Sequence, residues 1–124
     1  MAQKTVLVVE DDPQQRDIVV TFLRHHGYAV LEAADGAAGV DAVSHHRPDM
    51  VLMDARLPVM DGWAATARLK SDPGVSGIPV VLLTAAALEE DRERSDRAGC
   101  DAYLTKPCDP HTVLAEVRQR IGVP

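Results

Sequence analysis

Aromatic side chains are nearly missing from this chain: Phe22, Tyr28, Trp63 and Tyr103 are the only four among 124 residues. So few rings cannot sandwich a flavin, and the first loop, Glu10-Asp11-Asp12, is acidic where a phosphate-binding loop wants glycine and free backbone N–H groups. Positive charge is also in deficit. Thirteen Lys and Arg face nineteen Asp and Glu, and the net charge of −6 argues against a general nucleic-acid or anionic-membrane binder. Unbroken apolar runs fall far short of the ~20 residues that a membrane span needs. The opening Met-Ala-Gln-Lys leads directly into a strand pattern without the apolar segment of a signal peptide, so a cytoplasmic location is expected. Cysteine is limited to Cys100 and Cys108, at opposite ends of the last predicted strand. An extended chain rises ~3.3 Å per residue and a disulfide needs Cα atoms within about 7 Å, so the two read as reduced thiols that do not bridge.

Hydrophobic residues make up 46% of the sequence, enough for one globular domain with its own core. Polar signatures stand at the ends of its apolar runs. Glu10-Asp11-Asp12 follows Val6–Val9, Asp54 closes Met50–Met53, Thr84 follows Val80–Leu83, and Lys106-Pro107 follows 102–105. Short unbroken apolar runs read as buried parallel strands, and open α/β sheets bind ligands beyond the carboxyl ends of their strands. These groups therefore converge on one edge of one sheet.

The pattern alternates strand and helix five times. Strands are predicted near 5–9, 28–33, 50–54, 79–84 and 102–105. The first helix has Asp12 as its cap, Pro13 in the first position, an apolar face of Ile18, Val19, Phe22 and Leu23, and Gly27 as its end. Further helices are predicted near 36–47, 62–71 and 87–98. The last repeats the Asp-Pro start at Asp109-Pro110 and buries Val113, Leu114, Val117 and Ile121. The fourth is mostly charged, with Glu90–Arg94 and Glu93–Arg97 as favourable pairs and little beyond Leu88 and Ala98 to bury. Five βα units with helices on both faces make an α/β, doubly wound parallel sheet. The domain is expected to span 1–124 with no output domain.

Asp54 alone could be a strand-end residue tying down a loop; its companions argue otherwise. Like charges ~4 Å apart at an effective dielectric near 20 cost on the order of 4 kcal/mol per contact, so Glu10, Asp11 and Asp54 are most easily retained beside a cation. Oxygen-only ligands suit Mg²⁺. A carboxylate held by Mg²⁺ and Lys106 can attack phosphorus while both cations neutralise the transferring group. Asp12 reads as a helix cap and not a ligand, and Asp61-Gly62 as a turn and cap. The adjacent pairs His25-His26 and His45-His46 do not face one ion together, because neighbouring helical residues point ~100° apart. Trp63 reads as packing.

Taken together, Val8-Val9-Glu10-Asp11-Asp12-Pro13, Leu52-Met53-Asp54, Leu57-Pro58-Val59-Met60-Asp61-Gly62, Ile78-Pro79-Val80-Val81, Leu83-Thr84-Ala85 and the run from Gly99 to Pro107 resemble a receiver domain of the two-component response regulators. The resemblance covers essentially the whole length. It implies a flavodoxin-like (βα)5 fold with strand order 2-1-3-4-5 and Asp54 as phosphoacceptor. Asp11 and Glu10 would be Mg²⁺ ligands, the latter through water, with the backbone carbonyl of Arg56 completing the set. Thr84 and Lys106 would contact the phosphoryl group, Tyr103 would report the state of Thr84, and Ala85 would leave the phosphoryl group room. It further implies a cis Lys106–Pro107 bond. The donor would be a histidine kinase or histidine phosphotransfer protein. Output would pass through protein contacts on the face of the fourth helix, fifth strand and fifth helix, from a monomer or a phosphorylation-dependent dimer.

Cys108 stands where the family usually has a larger apolar residue. Arg56 and Ala86, two residues after Asp54 and Thr84, offer no carboxylate or amide to activate water, which implies a long-lived acyl phosphate. A metal-dependent phosphatase with an aspartyl nucleophile would need an acid in place of Arg56. A phosphorylation-independent relative would usually have lost the acid, hydroxyl or lysine, all of which are present here.

Overall fold

The computed structural model describes residues 3–85 and 89–124. Five strands, β1 (Thr5–Val9), β2 (Ala29–Ala33), β3 (Met50–Asp54), β4 (Val80–Thr84) and β5 (Ala102–Thr105), alternate with five helices, α1 (Pro13–His25), α2 (Gly36–His46), α3 (Gly62–Lys70), α4 (Glu89–Ala98) and α5 (Pro110–Ile121). All pairings are parallel and the strand order is β2-β1-β3-β4-β5.

Because side chains alternate across a strand, each central strand feeds two cores. Leu7, Val9, Val51, Met53, Val80 and Leu82 join Val43, Trp63, Ala65 and Leu69 on the α2–α3 side. Val6, Val8, Met50, Leu52 and Val81 join Val20, Leu23, Val113, Leu114 and Val117 on the α1–α5 side. Tyr28 precedes β2 where the sequence pattern starts the strand; it is buried, and its hydroxyl donates to the Gly122 carbonyl at 2.6 Å.

The caps form as the sequence implies. Asp12 accepts from the Gln14 N–H at 2.9 Å, Asp61 from the Ala64 N–H at 2.8 Å and Asp109 from the His111 N–H at 2.7 Å. Two details differ. Ile18 is 57% exposed and lines an open cavity between α1 and the segment after β5, whereas Val20, unremarked in the sequence pattern, is buried beside Leu23. Arg94 turns away from Glu90: its guanidinium lies 3.7 Å from Asp61 and 3.9 Å from the centre of the Trp63 ring, where it gains a carboxylate and an aromatic face together. The Glu93–Arg97 pair forms at 3.3 Å. Ala86 and Leu88 lie outside the described residues.

Candidate functional site

The carboxyl ends of β1, β3 and β4 and the residue after β5 meet at one edge of the sheet. Parallel register sets this: Asp54 pairs with Leu83, Thr84 pairs with Thr105, and the Lys106 N–H donates to the Thr84 carbonyl at 2.7 Å. Glu10 leaves β1 with its N–H on the Ala33 carbonyl at 3.0 Å and its own carbonyl held by Arg16 at 2.8 Å. The chain after Asp54 folds back so tightly that the Gly62 N–H donates to the Ala55 carbonyl at 2.8 Å. A Cβ at Gly62 would collide with the Asp54 carbonyl, so only glycine fits there.

Glu10 and Asp54 are 6% and 8% exposed, while Asp11 faces solvent. Carboxylate oxygens of the three lie within 4.8 Å of one another. Lys106 closes the group: its Nζ is 2.8 Å from Glu10 Oε1, 3.2 Å from Asp54 Oδ2 and 3.2 Å from Gln15 Oε1. Burial, together with a hydrogen bond and repulsion from Asp54, raises the Glu10 pKa above its ordinary value; Lys106 only partly opposes them. Burial alone would lower the Lys106 pKa, but Glu10 and Asp54 outweigh it and hold the ammonium more firmly protonated than usual. The site thus combines an excess of buried negative charge with one fixed cation. Hard oxygen donors at this separation fit a small divalent ion.

Thr84 is buried at the end of β4. Tyr103 is half-buried, packs against the α2–α3 core and pairs with Leu82 in register. Ala85 is exposed at the site's rim, and the Lys106–Pro107 bond is cis. The Arg56 guanidinium lies 3.5 Å from the buried Asp91 carboxylate and 5.3 Å from the Trp63 ring centre. A cavity of about 600 Å³ adjoins Lys106, lined by Gln15, Ile18, Val19, Pro107, Cys108 and Val113 among others. Cys100 and Cys108 are both free, and burial pushes both thiols up, with help from Asp96 and Asp101 at Cys100 and from Asp109 at Cys108.

Residues 6–118 match the family pattern described as the response regulator receiver domain. The chain belongs to this family. Among curated relatives, the receiver domain is 38% identical over 112 residues to protein PilH of Pseudomonas aeruginosa, covering 90% of this chain and 93% of PilH. It is 38% identical over 113 residues to the DNA-binding dual master transcriptional regulator RpaA of Synechocystis, covering 91% of this chain but 47% of RpaA, so it spans about half of that relative. The receiver domain of a Pseudomonas aeruginosa sensor histidine kinase, solved with a magnesium ion coordinated in its active site cleft, superposes with a TM-score of 0.90 at 37% identity, over 98% of this chain and 99% of that one. The fold expectation is met in full, strand order included. As a receiver domain the chain is a signalling component, a phosphoacceptor by class, that works with histidine kinases or phosphotransfer proteins. No helix among the described residues is long and apolar enough to cross a membrane.

Two features of this receiver's site went unread in the sequence. Gln15 touches Lys106, although the Asp12-Pro13-Gln14-Gln15 spacing signals only a helix start. Trp63 is more than packing: its indole N–H donates to the Ser95 hydroxyl at 3.0 Å, joining α3 to α4. Both depend on contacts across long stretches of chain, which no local pattern encodes.

Proposed function

We propose that Asp54 accepts a phosphoryl group from the phosphohistidine of a histidine kinase or phosphotransfer protein. The single observation that supports this most is Lys106 bridging Glu10 and Asp54 inside a three-carboxylate cluster. An Asp54 oxygen forms the new P–O bond as the P–N bond breaks and its electron pair returns to the imidazole. Lys106 holds the attacking carboxylate in place and then bonds a phosphoryl oxygen, while the Thr84 hydroxyl donates to another. Glu10, Asp11, Asp54 and the backbone carbonyl of Arg56 would hold Mg²⁺, Glu10 through water. When bound, Mg²⁺ supplies charge neutralisation at the phosphoryl oxygens.

Self-dephosphorylation is slow in this reading, since Arg56 is engaged with Asp91 and Trp63 and orients no water. Thr84 moves toward the phosphoryl group and Tyr103 fills the space it leaves. The change is passed to a protein partner at the face of α4, β5 and α5, from a cytoplasmic monomer or a phosphorylation-dependent dimer. Incubation with acetyl phosphate and Mg²⁺ followed by intact-mass spectrometry tests the proposal. One added phosphoryl group is expected, absent in EDTA; an unmodified protein in Mg²⁺ would refute it.

A further inference from the structure

An ammonium carries three N–H donors, and among the described residues Lys106 meets three side-chain acceptors: Glu10 at 2.8 Å, Asp54 at 3.2 Å and Gln15 at 3.2 Å. Glu10 and Asp54 belong to the carboxylate cluster; Gln15 does not. The Gln15 side chain is fixed at both ends. Its amide nitrogen donates to Asp12 Oδ2 at 3.1 Å, and Asp12 is itself tied to the Gln14 N–H at 2.9 Å, so the amide oxygen faces Lys106. In a capping box, a glutamine three residues after the cap turns back to the N–H of the capping residue. Here its oxygen instead reaches across to a lysine 91 residues away. The stretch of cavity wall made by Ile18, Val19, Pro107 and Val113 is apolar.

We propose that Gln15 is a positioning residue for Lys106, holding the ammonium beside the phosphoryl group during transfer. This rests on the phosphoacceptor role of Asp54. A cation at the cluster weakens the pull of both carboxylates on Lys106, and Asp54 gives one oxygen to phosphorus. Gln15 is the acceptor whose strength does not change through the reaction. Being neutral, it also adds no repulsion toward an incoming phosphate.

The test is a double-mutant cycle of Gln15→Met and Lys106→Met, read as the initial rate of phosphorylation by acetyl phosphate in Mg²⁺. A second reading is the nitrogen NMR signal of the Lys106 ammonium in EDTA without donor. Gln15→Met should slow the wild-type background roughly three- to tenfold, the range expected for one charged hydrogen bond shared with solvent. It should cause no further slowing in the Lys106→Met background. In EDTA it should broaden or shift the ammonium signal through faster exchange with water. Gln15→Ala should behave in the same way, which covers the case that Met packs badly. An unchanged rate, equal slowing in both backgrounds or an unaltered ammonium signal would overturn the proposal. If wild type takes no phosphoryl group, the phosphoacceptor reading fails, and the ammonium signal alone decides whether Gln15 holds Lys106.

Discussion

The ammonium of Lys106 lies 2.8 Å from the Glu10 carboxylate, a residue 96 positions away in the chain. Together with its contact to Asp54, this makes Lys106 the tie between the ends of β1, β3 and β5. Removing one partner of a buried charge pair costs 3–5 kcal/mol, and since Lys106 keeps about a fifth of its side chain exposed, Lys106→Met should lose about 2 kcal/mol at pH 7 in EDTA. Adding Asp54→Asn to that variant should recover part of the loss. Urea unfolding of the three proteins provides the comparison. Wild-type stability in Lys106→Met would mean the carboxylates need no compensation.

Asp54→Asn alone relieves repulsion within the cluster, the same repulsion that helps hold Glu10 partly toward its protonated form. It should melt higher than wild type in EDTA. Wild type should gain about 1.4 kcal/mol from free Mg²⁺ at ten times its Kd, and Asp54→Asn less. Four thermal melts are required. A lower melt in EDTA with an undiminished gain in Mg²⁺ would separate these carboxylates into unrelated groups.

Thr84 and Tyr103 test the coupling to the output face. Thr84→Ala should still accept phosphate, yet the chemical-shift changes around Tyr103 on binding a beryllofluoride mimic should shrink to less than half. Full-size changes in Thr84→Ala would break the proposed link between them.

Away from the site, Asp101 ties β5 to α3 and β4. Its carboxylate lies 2.8 Å from Lys70 and accepts the Val80 N–H at 2.7 Å. Burial would raise its pKa, but Lys70 and the Val80 N–H outweigh that and hold the carboxyl below the ordinary aspartate value. A depressed carboxylate stabilises the fold fully above its unfolded value and loses that contribution as pH falls through the folded one. Asp101→Asn should therefore cost about 1 kcal/mol at pH 7, at the low end for charged hydrogen bonds because the group is a third exposed. The difference from wild type should narrow as the pH falls through the lowered folded-state pKa of Asp101. Parallel stability curves down to pH 2.5 would contradict this.

Much of this molecule is written locally. The Asp-Pro starts of α1 and α5, the apolar runs of the strands and the polar residues at their ends fix the architecture and place Glu10, Asp54, Thr84 and Lys106 on one edge. What escaped is set by tertiary geometry. Ile18 satisfies helical periodicity but faces a cavity, because α5 and the segment after β5 do not close over it. Arg94 has a good partner in Glu90 by spacing, yet its guanidinium sits against Asp61 and the Trp63 ring of a neighbouring segment. Gln15 carries no signal of its own; only the arrival of Lys106 gives it a part.

Whether Asp54 is the acceptor is decided by mapping the phosphoryl group chemically. An acyl phosphate on aspartate is reduced by borohydride to homoserine, which marks the modified position in a peptide mass spectrum. After acetyl phosphate and Mg²⁺, homoserine should appear at position 54 and nowhere else, and Asp54→Asn should yield none. Homoserine at position 11 or 12, or none in wild type that has gained phosphate, would contradict the assignment.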